Sequence, residues 1–410
     1  MRTLFHSIGI LGPAGAFDRP LAGEQLARDT FLRDAWLLVT DGRITAVGSM
    51  RDDLPSADRT EDLGGRMVLP AWVDAHTHLV FAAWRAEEFE MKLRGASYAD
   101  IAAAGGGILN SARRLRETSE DDLYTDALDR LQRLMALGTG AIEIKSGYGL
   151  DLASELKMLR VIRRLREAVD IPVKANLLAA HAVPPEFAGR RSAYVDLVVR
   201  EIIPEVARQG LADFIDVFCE EGFFTVHDTD RILRAGIQHG LRPKIHANQL
   251  AISGGVQIGV QHQAISVDHL EAIGDAEIEA LQQGETIPVA LPGCSFFLRL
   301  DHTPVRRLID AGLPVAIASD LNPGSAPSGN MNLIVSLACI ALRMLPREAI
   351  HAATVNAAHA MGVADEVGSI HPGKRANLLV LRPEASPAFV PYSFGDPAIE
   401  AVYVNGERLR

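Results

Sequence analysis

Between residues 66 and 372, short apolar runs rich in β-branched residues alternate eight times with longer amphipathic stretches, and this rhythm restricts the fold more than any other feature of the chain. The runs are MVLPAWVDAH (67–76), AIEIKSGYG (141–149), VKANLLAAH (173–181), DFIDVFCEE (213–221), PKIHANQ (243–249), AISVDHLE (264–271), TIPVALPG (286–293) and PVAIASDLN (314–322). Helical periodicity fills the intervals, as in SELKMLRVIRRLREAV (154–169) and SAYVDLVVREIIPEVARQG (192–210). Strands alternating with helices imply parallel pairing with right-handed crossovers. Eight such units over roughly 300 residues suit an α/β fold closed into a (β/α)8 TIM barrel. The runner-up is an open doubly wound sheet, which wants a glycine-rich phosphate turn after its first strand. Here Val73 is followed by DAHTHL, and the glycines at 105–107 follow an expected helical stretch, SYADIAAA (97–104), rather than a strand.

The two ends of the chain have a different texture. WLLVTDGRITAVG (36–48) flanks Asp41-Gly42 with strand-forming runs, and NLLVL (377–381) with AVYVNGERL (401–409) repeats the pattern around Asn405-Gly406. Such Asx-Gly pairs signal tight hairpins. A lone hairpin is marginal in water, so the two ends are expected to pair into one small β-sandwich domain, residues 1–66 plus 373–410, beside a barrel of residues 67–372.

With 48% hydrophobic and 23% charged residues in 410, the chain has ordinary soluble composition and the length of one large and one small domain. The net charge of -11 is spread along the chain, which argues against a nucleic-acid partner. No apolar run approaches the ~18–20 residues of a membrane span, and MRTLFHSIGI does not read as a signal peptide. Cys219, Cys294 and Cys339 have no paired spacing, so a disulfide-free protein of the reducing cytoplasm is expected.

The chemistry is expected at the C-terminal strand ends, where barrel active sites are built. Strand one ends in His76-Thr77-His78, two in Lys145-Ser146-Gly147-Tyr148, three in His181, four in Glu220-Glu221, five in His246 and Gln249, six in Asp268-His269, and eight in Asp320 and Asn322. Ionisable groups in apolar strands cost several kcal/mol unless paired or metal-bound, so seven strands sharing this habit is hard to explain as core filling. His76 and His78, two apart on a strand, present both imidazoles to one side. An isolated H-x-H is usually an incidental pair, His246 alone reads as a core histidine, and Asp320 could cap the turn opened by Asn322-Pro323-Gly324. Together the four make an N/O donor set with room for water, suited to Zn2+ or Fe2+. Arg85 could be a surface salt bridge with Glu87 or Glu88, Tyr148 a buried aromatic, and Lys145 a structural charge near the rim.

The motifs VDAHTH, HANQ, VDHLE and ASDLNPG resemble the mononuclear branch of the amidohydrolase superfamily. Binuclear members carry a carboxylated lysine on strand four, and DFIDVFCEE has none. Over nearly the whole chain, HTHLVFAAWRAEEFEMKLRGASYADIAAAGGGI, KSGYGL, LAAHAVP and SDLNPGSAP narrow the likeness to the imidazolonepropionase family. That resemblance implies hydrolysis of the cyclic amide of 4-imidazolone-5-propanoate to N-formimidoyl-L-glutamate in histidine degradation, by a homodimer with one Zn2+ or Fe2+/Fe3+ per subunit. It implies His76, His78, His246 and Asp320 as metal ligands, and Arg85 as clamp for the propionate. Tyr148, His181 and Gln249 would line the ring, Asn322, Gly324 and Ser325 would touch product, and Asp320, His269 and His181 would be catalytic. Gln249 stands where some members have Glu, and an amide cannot shuttle a proton, so acid–base work would fall on His269, Asp320 or the substrate itself. A purine or pyrimidine deaminase would normally keep that Glu, and a non-catalytic scaffold would be expected to lose ligands; neither pattern fits.

Overall fold

The apolar runs become the staves of a parallel barrel in a computed structural model that describes residues 1–96, 100 and 105–409. The staves are Trp72–Asp74, Thr139–Lys145, Val173–Ala180, Phe214–Cys219, Ile245–Ala247, Ser266–His269, Ile287–Ala290 and Ala316–Ile317, hydrogen-bonded in sequence order. All lie almost wholly buried on both faces, as parallel strands wrapped by helices must be. The seam between the first and eighth strands is closed by main-chain bonds, His78 N to Leu321 O at 2.8 Å and Asp320 N to His76 O at 3.0 Å. Below them Asp74 accepts from Ser319 N at 2.9 Å and Ser319 Oγ at 2.5 Å. Barrel closure and the meeting of strand-one histidines with Asp320 are thus one event.

The helices follow from caps and apolar stripes. Leu152–Ala168 starts at Asp151, whose carboxylate accepts from Ser154 N at 2.8 Å, and buries Leu159, Ile162 and Leu165 against the barrel. The stretch expected as one helix over 192–210 is broken into Arg191–Leu197, a π-type turn Val198–Ile202, and Ile203–Arg208. Pro204 has no N–H to give to the helical ladder, and the wider turn accommodates that gap. The helical stretch expected over 97–104 lies outside the described residues except for Asp100. Among the described residues no helix is long and apolar enough to cross a membrane.

Both chain ends pair into one eight-stranded mixed sheet. Asp41 (φ 48°), Gly42 (φ 81°), Asn405 (φ 49°) and Gly406 (φ 75°) adopt the left-handed turn conformation read from their sequence. The sheet curls until Phe5 and Tyr403, three strands apart in its order, meet edge to face at 5.1 Å, and Ile44 N reaches Lys374 O at 2.9 Å across the far side. The run 67–76, expected as a single barrel strand, is two. Met67–Pro70 belongs to the terminal sheet and Trp72–Asp74 to the barrel. The chain changes sheets at Ala71, whose N–H bonds Asn377 O at 2.8 Å while Trp72 N bonds Gly138 O at 2.9 Å.

Candidate active site

At the C-terminal mouth of the barrel, four side chains converge. His246 Nε2 lies 3.4 Å from His78 Nε2. Asp320 Oδ1 lies 3.5 Å from His76 Nε2 and 3.6 Å from His78 Nε2. Donors held about 2.0–2.1 Å from one tetrahedral cation stand roughly 3.3 Å from each other, so these edges are those of a ligand cage. The tautomers agree. His76 Nδ1 faces Asp268 Oδ2 at 2.6 Å and His246 Nδ1 faces Asp216 Oδ1 at 3.0 Å, which leaves each Nε2 lone pair aimed inward. His76 Nε2 is buried with no hydrogen-bond partner among the described residues, an orphan expected of a metal ligand and otherwise costly. The residues therefore fit a single divalent cation. Burial drives His76 and His78 well below the ordinary histidine range, keeping them neutral and ligand-ready, and pushes Asp320 up.

Beneath this cage lies a charged network. Lys145 Nζ reaches Glu143 Oε1 at 2.6 Å, Asp216 Oδ2 at 2.8 Å and Asp268 Oδ2 at 3.6 Å. Lys244 Nζ contacts the other oxygen of Glu143 at 2.5 Å, and Asn176 Nδ2 donates to both Glu143 and Asp216. Burial works against the Lys145 charge, but the Asp216, Glu143 and Asp268 carboxylates outweigh it and hold the ammonium above its usual range. Lys145 is thus not the rim charge suggested by its strand-end position: it is fully buried inside the barrel, between the carboxylates that orient His246 and His76. Asp216, Lys244 and Glu143 escaped the sequence reading, although each interrupts an apolar strand.

Above the cage a cavity of about 260 Å³ is lined by Arg85, Tyr148, His181 and Gln249 together with His78, His246 and Asp320 of the cage. His181 stacks on His78 at 5.1 Å and its Nδ1 bonds Gly147 O at 3.0 Å, leaving Nε2 for the cavity. Gly147 has φ 106°, and a Cβ there would come within 3.0 Å of His181 Nδ1, so the position suits glycine alone. Glu155 holds this loop through Gly147 N, Gly149 N and Leu150 N. Burial lowers His181 to about 3 and raises Tyr148, so both are neutral.

Arg85 does pair with Glu88, but not on the surface: Nε and Nη2 both reach Glu88 Oε2, at 2.8 and 2.5 Å, and its side chain is 14% exposed. Glu88 Oε1 in turn accepts from Gly107 N at 3.1 Å. The guanidinium lies so close to Gly324 that an added Cβ would stand 2.2 Å from Nη1. Lys92, half-buried, bonds Gly324 O at 3.3 Å and brings a second cation to the same wall. Asn322 is engaged within its own loop, accepting from Gly324 N and Ser325 N at 2.8 and 2.7 Å and donating to Asp320 O at 2.8 Å. Gln249 donates to Cys294 Sγ at 3.4 Å, while Glu220 fixes the backbone after strand five through Gln249 N and Leu250 N.

His269 carries a donor atom within 4.8 Å of those of His76 and His246. Burial opposes its charge, but Glu271 outweighs it and raises its affinity for a proton. Asn248, His269, Leu270 and Asp320 all have positive φ, between 55° and 88°, at the ends of strands five, six and eight. Such non-glycine conformations cost on the order of 1–3 kcal/mol each and gather where side chains are aimed for function.

The amidohydrolase family profile matches residues 67–409. Imidazolonepropionase of Christiangramia forsetii is 51% identical over 95% of this chain and 95% of its own, and that of Geobacillus thermodenitrificans 42% over 99% and 98%. Among solved structures, E. coli guanine deaminase aligns over 100% of this chain and 99% of its own, with TM-score 0.71 at 16% identity, a likeness of fold.

Proposed function

This chain belongs to the imidazolonepropionases of the amidohydrolase family, and we propose that it hydrolyses the ring C–N bond of 4-imidazolone-5-propanoate to N-formimidoyl-L-glutamate with the residues gathered at the barrel mouth. The observation that carries the site assignment is the cage of His76, His78, His246 and Asp320, with edges of 3.4 to 3.6 Å and an orphaned His76 Nε2.

Those four residues would hold one Zn2+ or Fe2+/Fe3+ per subunit, which would supply a Lewis acid able to lower the pKa of water to about 7. Water adds to the ring carbonyl carbon, forming a C–O bond. Asp320 and His269, which stand at the cage, take the proton released and return it to the ring nitrogen as the C–N bond breaks. His181 is neutral, with its Nδ1–H given to Gly147 O, so its Nε2 lone pair faces the cavity and accepts from a ring N–H of the substrate, holding the ring in place for attack. Arg85 binds the propionate carboxylate, its orientation set by Glu88. Tyr148 and Gln249 flank the ring, and the turn of Asn322, Gly324 and Ser325 shapes the wall that meets the product. The sheet built from both chain ends, which takes in Met67–Pro70, serves as support to the catalytic barrel that begins at Trp72, and the enzyme works as a homodimer in the cytoplasm.

The test is elemental analysis of purified protein together with turnover of imidazolone propionate, guanine and cytosine, followed by ring absorbance and ammonia release. About one metal per chain and turnover of the imidazolone alone is the expected result. Ammonia release from a nucleobase, or full turnover in a verified metal-free sample, would overturn it. Light scattering tests the dimer.

A further inference from the structure

Beside the cage lies a second convergence of donors. One atom each of His269, Glu271 and Cys294 lies within 4.8 Å of the other two. They come from separate places: His269 ends strand six, Glu271 follows two residues later, and Cys294 sits in the helix Pro292–Leu298 after strand seven. The side chains of His269 and Glu271 are each 3% exposed and Cys294 is fully buried. Two of the donors have nothing to bind: among the described residues His269 Nδ1 and Glu271 Oε2 lack any hydrogen-bond partner. Their nearest approach, His269 Nδ1 to Glu271 Oε1, is 3.5 Å, at the limit of a hydrogen bond. Ser295 Oγ donates to that same Oε1 at 2.9 Å, which fixes the carboxylate and leaves Oε2 over. Buried polar atoms without partners are rare in folded proteins and call for a cause.

We propose that His269, Glu271 and Cys294 form a second, inhibitory site for a thiophilic divalent cation of the zinc class, separate from the four-residue cage. The donor chemistry selects the ion. Sulfur, imidazole nitrogen and carboxylate oxygen together suit Zn2+ or Cd2+, whereas Mg2+ and Ca2+ require an all-oxygen shell. Three protein donors leave a fourth tetrahedral position for water, so the site closes without further residues. Its consequence for turnover rests on the reading of His269 as a proton carrier: an ion on His269 Nδ1 removes that imidazole from acid–base work. Excess zinc then stops the enzyme without displacing the first metal.

The test uses holoenzyme carrying one equivalent of metal, titrated with Zn2+, Cd2+ or Mg2+. Elemental analysis after gel filtration, ultraviolet absorption and turnover are followed together. The expected result is a second equivalent of Zn2+ or Cd2+ but none of Mg2+, a thiolate-to-Cd2+ absorption band, and a fall in turnover of roughly 100-fold or more at saturation. Cys294→Ser should keep the first equivalent and its basal turnover while losing the band, the second equivalent and the inhibition. Cys294→Ala serves the same purpose if the serine variant folds poorly. Wild-type protein that stays at one equivalent under excess Zn2+, or Cys294 variants that bind a second as tightly as wild type, would overturn the proposal. Absence of the first equivalent would count against the four-residue cage instead, because the part of the cadmium–thiolate band that is lost in the Cys294 variants, and not that of Cys219 or Cys339, reports the second site.

Discussion

Gly324→Ala should damage substrate binding through Arg85 without touching the metal cage. The backbone at Gly324 does not have the positive φ that only glycine favours, so alanine is locally acceptable there. The new methyl would nevertheless stand 2.2 Å from Arg85 Nη1 and 3.0 Å from Arg85 Cζ. A long arginine would normally swing aside at little cost. This one is pinned, with Nε and Nη2 both on Glu88 Oε2 at 2.8 and 2.5 Å. Moving by the angstrom or more that the methyl demands therefore breaks either the Glu88 pair or the bond to the substrate carboxylate. A hydrogen bond to a charged group contributes about 1.5–3 kcal/mol, so KM should rise roughly 10-fold to 150-fold. Arg85→Ala, which removes the whole bidentate contact, should raise it roughly 30-fold to 1000-fold, and Arg85→Lys should recover only part of that. Steady-state kinetics with imidazolone propionate and with the ring lacking its propionate provide the assay, with metal content as control. The tail-less ring should be equally poor for wild type and variants. Unchanged KM in Gly324→Ala alongside a large effect of Arg85→Ala would refute the pinning argument. Equal use of both substrates by wild type would refute the clamp itself.

Asp268→Asn removes the carboxylate 2.6 Å from His76 Nδ1, so chelator competition should report metal affinity weakened about 10- to 100-fold; unchanged affinity would count against its orienting role. Asp320→Asn and His269→Ala should each lower kcat by about 10²–10⁴-fold, and near-normal turnover of a metal-replete variant would remove that residue from proton transfer. Lys145→Met leaves Glu143, Asp216 and Asp268 without their shared cation. It should lose about 3–5 kcal/mol in urea unfolding, and a loss under 1 kcal/mol would mean the network relaxes. His181 is depressed to about 3 by burial, so its contribution is full above the unfolded pKa near 6.5 and is lost as pH falls toward 3, at up to about 1.4 kcal/mol per pH unit. Chemical unfolding of wild type and His181→Phe across that window should show a shallower decline in the variant; parallel curves would refute it.

Much of this was legible in the chain because strand periodicity and strand ends are local properties. Alternation announced the barrel, the Asx-Gly pairs announced both hairpins, and His76, His78, His246 and Asp320 stood where the cage formed. The double strand within 67–76 was not legible, since Met67–Pro70 and Trp72–Asp74 share the same composition and differ only in the partners they pair with. Lys145 misled for a related reason. Its position at a strand end suggested the rim, but in a tilted barrel the facing residues decide depth, and here they are Glu143, Asp216 and Asp268.

By itself, then, the sequence determined the eight barrel units, their order and the side to which His76 and His78 turn, because 3.6-residue and two-residue periods act within a few residues. Tertiary structure decided everything that depends on closure. Main-chain bonds across the seam bring His76 and His78 to Asp320, over 240 residues later in the chain. Asp216 and Asp268 choose which nitrogen of His246 and His76 faces the cage, and the approach of Gly324 to Arg85, like that of Cys294 to His269, exists only once the barrel is shut. Such contacts are set by strand stagger and the geometry of closure, quantities that no local stretch of sequence encodes.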